Sequence, residues 1–344
     1  MQPYFRLLIL LLPLRLFSQS ADYIEVREVP GSQKVLVKAS HQPFTEFTYS
    51  DTLEKPVLYP IYAPDGALVT RGYPLSPRPG EPIDHPHHVG LWMNYENVNG
   101  LDFWNNSFAI PADRKHLYGW IRTIRILEVS SGLQGRLTYM AAWVDSHNDT
   151  LLRETTTFFF RSRGGIRTID RVSFLTAAQD ILFQDAKDGL LGLRVAHELE
   201  LPSREKRQYI DGNGNITDVQ ASQDNRASGN YLTSEGRQGD SAWGTRAAWC
   251  MLYGKINSDS VSIVLMDHPS NPGYPTYWHA RGYGLFAANP LGVKIFSGGK
   301  QELNFRLKKN ERACFRYRIA VASGKRPLDR SSIGNMAAEF AKTK

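Results

Sequence analysis

The sequence predicts an all-β protein, a large antiparallel β-sandwich that ends in one short helix. Apolar and polar residues alternate with period two along most of the chain, and turn residues separate these runs. Helical periodicity is nearly absent before residues 331–342, where Ile333, Met336, Ala337 and Phe340 form one stripe behind a serine cap. No internal repeat of fixed period is present, which disfavours a solenoid or a propeller.

The strands are predicted in three groups along the chain. Short strands come first, at residues 23–29, 34–39, 45–50 and 57–62. Longer strands with short polar turns follow at 120–129, 137–144, 152–161 and 166–175, a pattern typical of an antiparallel meander. The last group is predicted at 189–199, 247–253, 261–266, 301–307 and 313–321.

The N-terminal segment differs from the rest of the chain. Arg6 precedes a mostly apolar run at residues 7–17, and small residues follow at 18–21. These features predict a secretory signal peptide at residues 1–20, and therefore a periplasmic or secreted protein. We expect residues 21–325 to form a single sandwich domain and residues 326–344 to form the C-terminal helix and tail.

Composition limits the partners. The 344 residues carry a net charge of +7, which becomes about +5 without the two arginines of the signal peptide. No block of five basic residues is present, so we expect no nucleic-acid partner. No later run reaches the ~20 apolar residues of a membrane span. Cys250 and Cys314 are either paired or separate thiols, and the sequence leaves this and the oligomeric state open.

A proline-rich segment presents the strongest chemical signal. Residues 71–86 contain five prolines, so they cannot form a helix or a central strand and are predicted to be a long ordered loop. This loop delivers His85, His87 and His88. An extended backbone would place His85 and His87 on one face and His88 on the other.

Three roles are open for these histidines. A metal site would need further ligands, for which the candidates are His197, His268 and His279. Hydrogen bonding or acid–base chemistry on a polar substrate is favoured over metal binding, and a structural role that satisfies loop carbonyls is the third reading. We therefore expect no metal and no other cofactor.

Two further segments carry candidate residues. Asp185, Lys187 and Asp188 precede a buried-looking strand with Arg194, and they are either an acid–base group or a charged turn. Residues 267–286 have the same pattern as the proline-rich loop and the run that follows it, with prolines and aromatic rings around His279. The two loops would then form two walls of one cleft suited to a sugar, unless the rings only fill the core. Arg246 is either a substrate clamp or a surface arginine.

Five motifs carry a family resemblance. They are Pro-His-His-x-Gly-Leu-Trp at 86–92, Val-Asn-Gly-x-Asp-Phe-Trp at 98–104, Lys-Asp-Gly at 187–189, Trp-Gly-x-Arg at 243–246, and the segment 267–290. Together they resemble a bacterial family of unknown function that is labelled methane oxygenase PmoA, or PmoA-like. The resemblance covers roughly residues 40–325. It implies an exported β-rich protein with a galactose-mutarotase-like supersandwich fold, from a family whose genes often accompany genes of sugar metabolism. His87 and His88 belong to the motif and His85 does not.

The favoured function is that of an exported carbohydrate-active protein, an enzyme that acts on a sugar or oligosaccharide through histidine–carboxylate acid–base chemistry. The predicted catalytic residues are His87, His88, Asp188 and His279. The predicted substrate-binding residues are Trp92, Lys187, Arg194, Arg246, His268, Asn271, Arg281 and Tyr283. An epimerase, a hydrolase and a lyase are equally open. The alternatives are a non-catalytic sugar-binding envelope protein and a metal-dependent oxygenase, as the family label suggests.

Overall fold

A computed structural model describes residues 21–219 and 226–343, so the predicted signal peptide at residues 1–20 lies outside the described residues. The strands of the described chain are β1 (Ile24–Val29), β2 (Lys34–Ala39), β3 (Gln42–Thr48), β4 (Val57–Ile61), β5 (Leu91–Tyr95), β6 (Trp120–Ser130), β7 (Gly135–Val144), β8 (Thr150–Arg163), β9 (Ile166–Ala177), β10 (Ile181–Phe183), β11 (Gly189–Arg194), β12 (Arg207–Ile210), β13 (Ile216–Val219), β14 (Asn230–Thr233), β15 (Trp249–Ile256), β16 (Asp259–Asp267), β17 (Tyr277–Ala280), β18 (Leu285–Asn289), β19 (Phe305–Leu307) and β20 (Arg312–Gly324). The helices are α1 (Val293–Phe296) and α2 (Arg330–Phe340), and short 3₁₀ turns cover Ala112–Leu117, His197–Leu199 and Gly239–Ala242.

Two eight-stranded antiparallel sheets form the body of the protein. The front sheet has the strand order β1-β2-β3-β4-β5-β11-β18-β17, and the back sheet has the order β14-β15-β16-β20-β9-β8-β7-β6. Two further sheets, β10-β19 and β12-β13, have two strands each. The front sheet brings together strands that are almost 200 positions apart in the sequence, because β5 pairs with β11 and β11 with β18.

The core lies between the two sheets. Alternate residues of the long strands point inward, as the period-two pattern predicts, and aromatic rings meet across the interface. Phe47 on β3 contacts Tyr139 on β7 with ring centroids 4.6 Å apart, and Phe44 contacts Phe160 at 5.9 Å. The predicted all-β class, the large antiparallel sandwich and the C-terminal helix are confirmed.

Several element boundaries differ from the predicted ones. Strand β11 ends at Arg194 rather than at residue 199, because turn hydrogen bonds from Leu199 to Ala196 and from Glu200 to His197 curl the chain. Helix α2 begins at Arg330 and is capped by Asp329, whose carboxylate accepts the Ser332 N–H at 2.9 Å. The short strands β10, β12 and β14 were not predicted, since three or four residues are too few to show a period.

Helix α2 covers the outer face of the back sheet. Its Ile333 and Phe340 are buried against Trp249, Met266 and Ala320. No helix within residues 21–219 and 226–343 has the length and apolarity to cross a membrane. Both cysteines are free thiols, Cys250 buried and Cys314 half-buried.

A polar network is sealed inside the core around Glu154 on β8. Its fully buried carboxylate accepts hydrogen bonds from the hydroxyl of Tyr139 at 2.7 Å, the indole N–H of Trp143 at 2.8 Å and the guanidinium of Arg171 at 2.7 Å. The hydroxyl of Thr156 donates to it at 2.6 Å. A buried charge is tolerated only when it is paired and hydrogen-bonded, and this carboxylate satisfies both conditions.

The first prediction concerns this network. Glu154→Leu leaves the Arg171 charge and three other donors without their acceptor, so we expect the free energy of unfolding to fall by about 3–5 kcal/mol. Urea denaturation measures the change. As the control, Glu128→Ala removes an exposed pair with Arg136 and should cost less than about 1 kcal/mol. Equal losses for the two variants would contradict the role of the buried network.

Candidate functional site

The site is built on the outer face of the front sheet. Residues that pair directly across neighbouring antiparallel strands lie on the same face. One such row runs across four strands and consists of Trp92 on β5, Gly192 on β11, Ala287 on β18 and His279 on β17. Trp92 and Ala287 belong to an apolar cluster separate from the main core, which places the row on the outer face. The two sequence segments expected to form one cleft are therefore joined through the sheet.

Trp92 and Trp104 lie over Gly192. A Cβ at this glycine would come within 2.5 Å of the Trp92 ring and 2.8 Å of the Trp104 ring, so only glycine leaves room for the two indoles. The Trp92 indole N–H donates to the Asn94 side chain at 2.9 Å, and the Asn94 amide donates to the Phe103 carbonyl at 2.5 Å. Both tryptophans are fully buried and form the floor on which the histidines rest.

The histidine loop (residues 71–90) is held from below by Arg71. This buried guanidinium donates to the carboxylate of Asp84 at 2.5 Å, to the carbonyl of Asp84 at 2.7 Å and to the carbonyls of His85 and His88 at 3.0 and 3.1 Å. Burial works to raise the pKa of Asp84, but the charges of Arg194 and Arg71 hold it well below its usual range. The carboxylate therefore stays ionised between the two arginines.

The three histidines lie together, and the expectation that His88 would point away from the other two is wrong. The backbone is not extended here: His85 has a φ of 45°, and the N–H of His88 donates to the carbonyl of His85 at 3.0 Å. Such a turn brings residues three apart onto one side. The rings of His85 and His88 consequently stack at 4.8 Å, and the ring of His87 meets that of His88 edge-on at 4.3 Å.

A stack of nearly parallel rings crosses the site from Trp92 to Tyr283. His88 stacks on Trp92 at 5.4 Å, His85 on His88 at 4.8 Å and Tyr283 on His85 at 4.7 Å, the last two pairs within 4° of parallel. Burial lowers the pKa of His88 well below 6.5, so this imidazole is uncharged at neutral pH. Trp92 and His88 are buried, whereas His85 and Tyr283 form a partly exposed rim. We call these four residues the ring stack.

An acid–base pair lies beside this rim. His279 Nδ1 is 3.3 Å from the Asp188 carboxylate, and Lys187 Nζ is 3.6 Å from the same group. Nδ1 has no aligned hydrogen-bond partner among the described residues, although the backbone of Lys187 lies close enough to the imidazole to oppose the lowering of its pKa. Asn289 fixes the turn before β11 by donating to the carbonyl of Lys187 at 2.8 Å. The Asp188 backbone also exchanges hydrogen bonds with Glu96, so the carboxylate is held in place from two strands.

Burial sets the protonation states of this pair. It lowers the pKa of His279 to about 3, and the charges of Lys187 and Arg281 add to the effect. Burial raises the pKa of Asp188, and the charge of Lys187 opposes that rise. His85 is close enough to contribute to both pKa values. The imidazole is thus uncharged at neutral pH, and one of its ring nitrogens keeps a lone pair.

Lys55 is a site residue that the sequence did not predict. Its ammonium group is buried, donates to the carbonyl of His87 at 2.8 Å and lies 5.4 Å from the centre of the Trp92 ring. Burial lowers its pKa to about 8, although the charges of Glu54 and Asp102 oppose the shift. It follows Glu54 in a polar turn, and nothing local in the sequence marks it. Arg71, Asp84 and Trp104 also support the site without having been predicted as site residues.

Comparisons with known proteins identify the family. The model of a family of unknown function, DUF6807, matches residues 34–338. The chain belongs to this family. No curated protein matches the chain in sequence.

Three solved structures illustrate the matches in the fold comparison. The GH36 alpha-galactosidase AgaB from Geobacillus stearothermophilus is 9% identical with a TM-score of 0.37, and the match covers 88% of this chain and 41% of that chain. The galactosidase domain of the alpha-galactosidase-sucrose kinase AgaSK is 7% identical with a TM-score of 0.38, covering 88% and 42%. The GalM/aldose epimerase homologue from C. elegans is 9% identical with a TM-score of 0.30, covering 89% and 99%. This family member therefore spans less than half the length of the two galactosidase chains.

Two residues of this family member that were predicted to bind substrate, His268 and Asn271, lie away from the ring stack. His268 contacts Ser270 at 2.8 Å and packs against Phe340 of α2, and Asn271 bridges Asp267 and the Arg316 backbone. Their partners belong to the back sheet and α2, so the structure does not bring them to the ring stack.

Two predicted binding arginines are engaged by the protein itself. Arg246 donates to the carbonyls of Gly273, Tyr274 and Pro275 at 2.8–3.1 Å and so fixes that loop. Arg194 is fully buried under Tyr283, and its Nη2 donates to Asp84 at 2.6 Å and to Glu200 at 3.3 Å. Across residues 21–219 and 226–343, no group of three or more histidine, cysteine, aspartate or glutamate side chains has the arrangement of a metal site.

The second prediction follows from the buried histidines. Burial lowers the pKa of His87 from 6.5 to about 2, with the charge of Lys55 as the next cause. Between these pH values the unfolded chain binds a proton that the folded protein does not, so the free energy of unfolding falls as the pH drops below 6.5. Each such group contributes a slope of about 1.4 kcal/mol per pH unit.

His87→Gln removes one of these groups. We expect its unfolding free energy, measured in urea across the acidic range, to depend on pH less steeply than the wild type by about 1.4 kcal/mol per unit. His147→Gln, in an exposed turn of the back sheet, should keep the wild-type slope. A His87→Gln slope equal to that of the wild type would show that His87 is not held uncharged.

Proposed function

We propose that the protein is a carbohydrate-active enzyme that binds a sugar at the exposed rim of the ring stack and transfers protons through His279 and Asp188. The observation that carries the proposal is the His279–Asp188 contact of 3.3 Å beside the partly exposed rings of His85 and Tyr283. An aromatic face suits the apolar C–H surface of a sugar ring, and the polar groups around it suit the hydroxyls.

The two residues have complementary roles. Asp188 orients the imidazole by receiving the Nδ1 proton, which leaves the other ring nitrogen, Nε2, with its lone pair. Nε2 then takes a proton from a hydroxyl or an acidic C–H of the sugar, and the imidazolium formed beside the carboxylate returns the proton to a sugar oxygen. Contacts of this kind are often loose without substrate and align when it binds, which agrees with the poorly aligned Nδ1.

The surrounding groups bind and position. Lys187, half exposed at its side chain, donates to sugar oxygens, and its charge favours the ionised form of Asp188 against the effect of burial. Arg281 extends from the same turn as Tyr283 and supplies further donors. His87 and His88 were predicted to be catalytic, and we assign them a positioning role in this proposal: His88 is buried between Trp92 and His85, and the ring of His87 meets that of His88 edge-on. The step is a proton transfer common to epimerases, hydrolases and lyases, and the product identifies which reaction occurs.

The third prediction tests this function on the purified protein. A panel of monosaccharides, oligosaccharides and glycosides is incubated with the protein, and products are detected by nuclear magnetic resonance and mass spectrometry. His279→Gln should lower the rate on the accepted substrate on the order of 10²–10⁴-fold, because the proton acceptor is lost. Asp188→Asn should lower it as well, since it favours the wrong tautomer of the imidazole.

His147→Gln is the matched control and should leave the rate unchanged. Full turnover in both site variants would rule out this proton transfer. Saturable sugar binding without any product would instead support a non-catalytic sugar-binding protein. Elemental analysis of the same samples for copper, iron and zinc tests the oxygenase that the PmoA-like label implies.

A further inference from the structure

A cavity adjoins the proposed site on the side of Tyr283. It has a volume of about 360 Å³, within the range of small-molecule sites. Its lining includes Ser203, Glu205, Asp240, Trp243, Arg281 and Tyr283. Ala280, the neighbour of His279 in the chain, also lines it. Tyr283 therefore belongs both to the proposed site, where it stacks on His85, and to the lining of the cavity.

Trp243 gives this cavity an aromatic wall. Its side chain is 37% exposed, unusually open for a tryptophan. The Arg281 guanidinium lies 5.7 Å from the centre of the Trp243 ring and 5.7 Å from that of Tyr283. A guanidinium held between two rings is oriented by its planar faces, and its N–H donors remain free at the edge. The edge of the Trp243 ring is itself braced by Phe296 at 5.7 Å.

Three charged side chains of the cavity are not paired within the described part of the protein, whereas Arg207, which also lines it, pairs with Glu200 at 2.6 Å, and the Ser203 hydroxyl accepts the Glu205 N–H at 3.1 Å. No hydrogen bond or ion pair joins the side chains of Glu205, Asp240 or Arg281 to another residue of the described chain. They offer carboxylate acceptors and guanidinium donors around one exposed ring. Because opposite charges line the same cavity, an ionic ligand of either sign would meet repulsion as well as attraction. Hydroxyl groups, which both donate and accept, match this mixture.

We infer that this cavity is a second sugar subsite and that the substrate is a neutral oligosaccharide or glycoside longer than one ring. This inference rests on the proposed function. One ring lies at the His279–Asp188 pair, and the next ring lies in the cavity, stacked on Trp243 and hydrogen-bonded by Arg281. Tyr283 stands between the two positions.

Gly282 supplies a second way to probe the cavity. It lines the space, and a Cβ there would lie 3.3 Å from the Asp240 carboxylate and 3.5 Å from Leu201. A longer side chain at this position projects into the volume that the second ring would fill. Gly282→Gln adds this bulk without adding charge, whereas Trp243→Ala removes the aromatic wall.

The fourth prediction uses a chain-length series of neutral sugars, from one ring to four, on the wild type and the two variants. We expect kcat/KM of the wild type to rise from one ring to two. Trp243→Ala and Gly282→Gln should each lower kcat/KM for the longer sugars on the order of tenfold and leave one-ring sugars unchanged. Calorimetric binding to the same series is expected to follow the same pattern.

Tyr23→Ala is the matched control, since it removes an exposed aromatic ring at the far edge of the front sheet. Thermal midpoints and near-ultraviolet circular dichroism establish that each variant is folded. Equal effects of the variants on one-ring and longer sugars, or none on either, would overturn the second subsite while loss of turnover in His279→Gln upheld the proposed function. Absence of binding and turnover for every sugar would overturn both.

Discussion

The buried guanidinium of Arg71 is the interaction on which the site depends. The histidine loop is rich in proline, and proline has no N–H to donate, so the carbonyls of this loop cannot all be satisfied within it. Arg71 supplies the missing donors to Asp84, His85 and His88 from one rigid planar group. Its charge would be costly to bury alone, and the Asp84 carboxylate offsets that cost. The loop thus folds inward around the arginine with which it begins, and this arrangement positions the histidines.

The protonation states of the site also follow from burial. The imidazoles of His87 and His88 are uncharged, because burial disfavours the cationic form and nearby positive charges, such as that of Lys55 on His87, repel it. The fold bears the cost of these neutral histidines at acidic pH, and the large core between the two sheets supplies the stability that permits it. The result is a site whose imidazoles can accept hydrogen bonds at neutral pH rather than repel one another as cations.

The sequence predicts the strands well and the site in part, for physical reasons. Period two is a local property, so the long strands β6 to β9 are visible in it. Strand pairing is not local: nothing near Trp92 shows that it shares a row with His279, since three pairings between distant segments create that row. The turn at His85 depends on a positive φ, and the role of Lys55 depends on burial by residues far along the chain. Chemical types near the site could be recognised from sequence, whereas their contacts could not.

Gly192 and Ala287 are the small residues of the row that joins Trp92 to His279 across the front sheet. They explain why the part of the site at Trp92 is closely packed while the part at Tyr283 is open. Gly192 lets Trp92 and Trp104 lie against the sheet, and Tyr283 packs against the apolar cluster that contains Ala287. The ring stack therefore begins at buried, well-packed rings and ends at the exposed ring of Tyr283. There the Arg281 guanidinium lies against Tyr283 and also against Trp243. A flexible rim would lose binding free energy in ordering its side chains when a ligand arrives. Here the exposed rings pack on the buried ones, so a polar ligand at the rim binds to side chains that are already ordered.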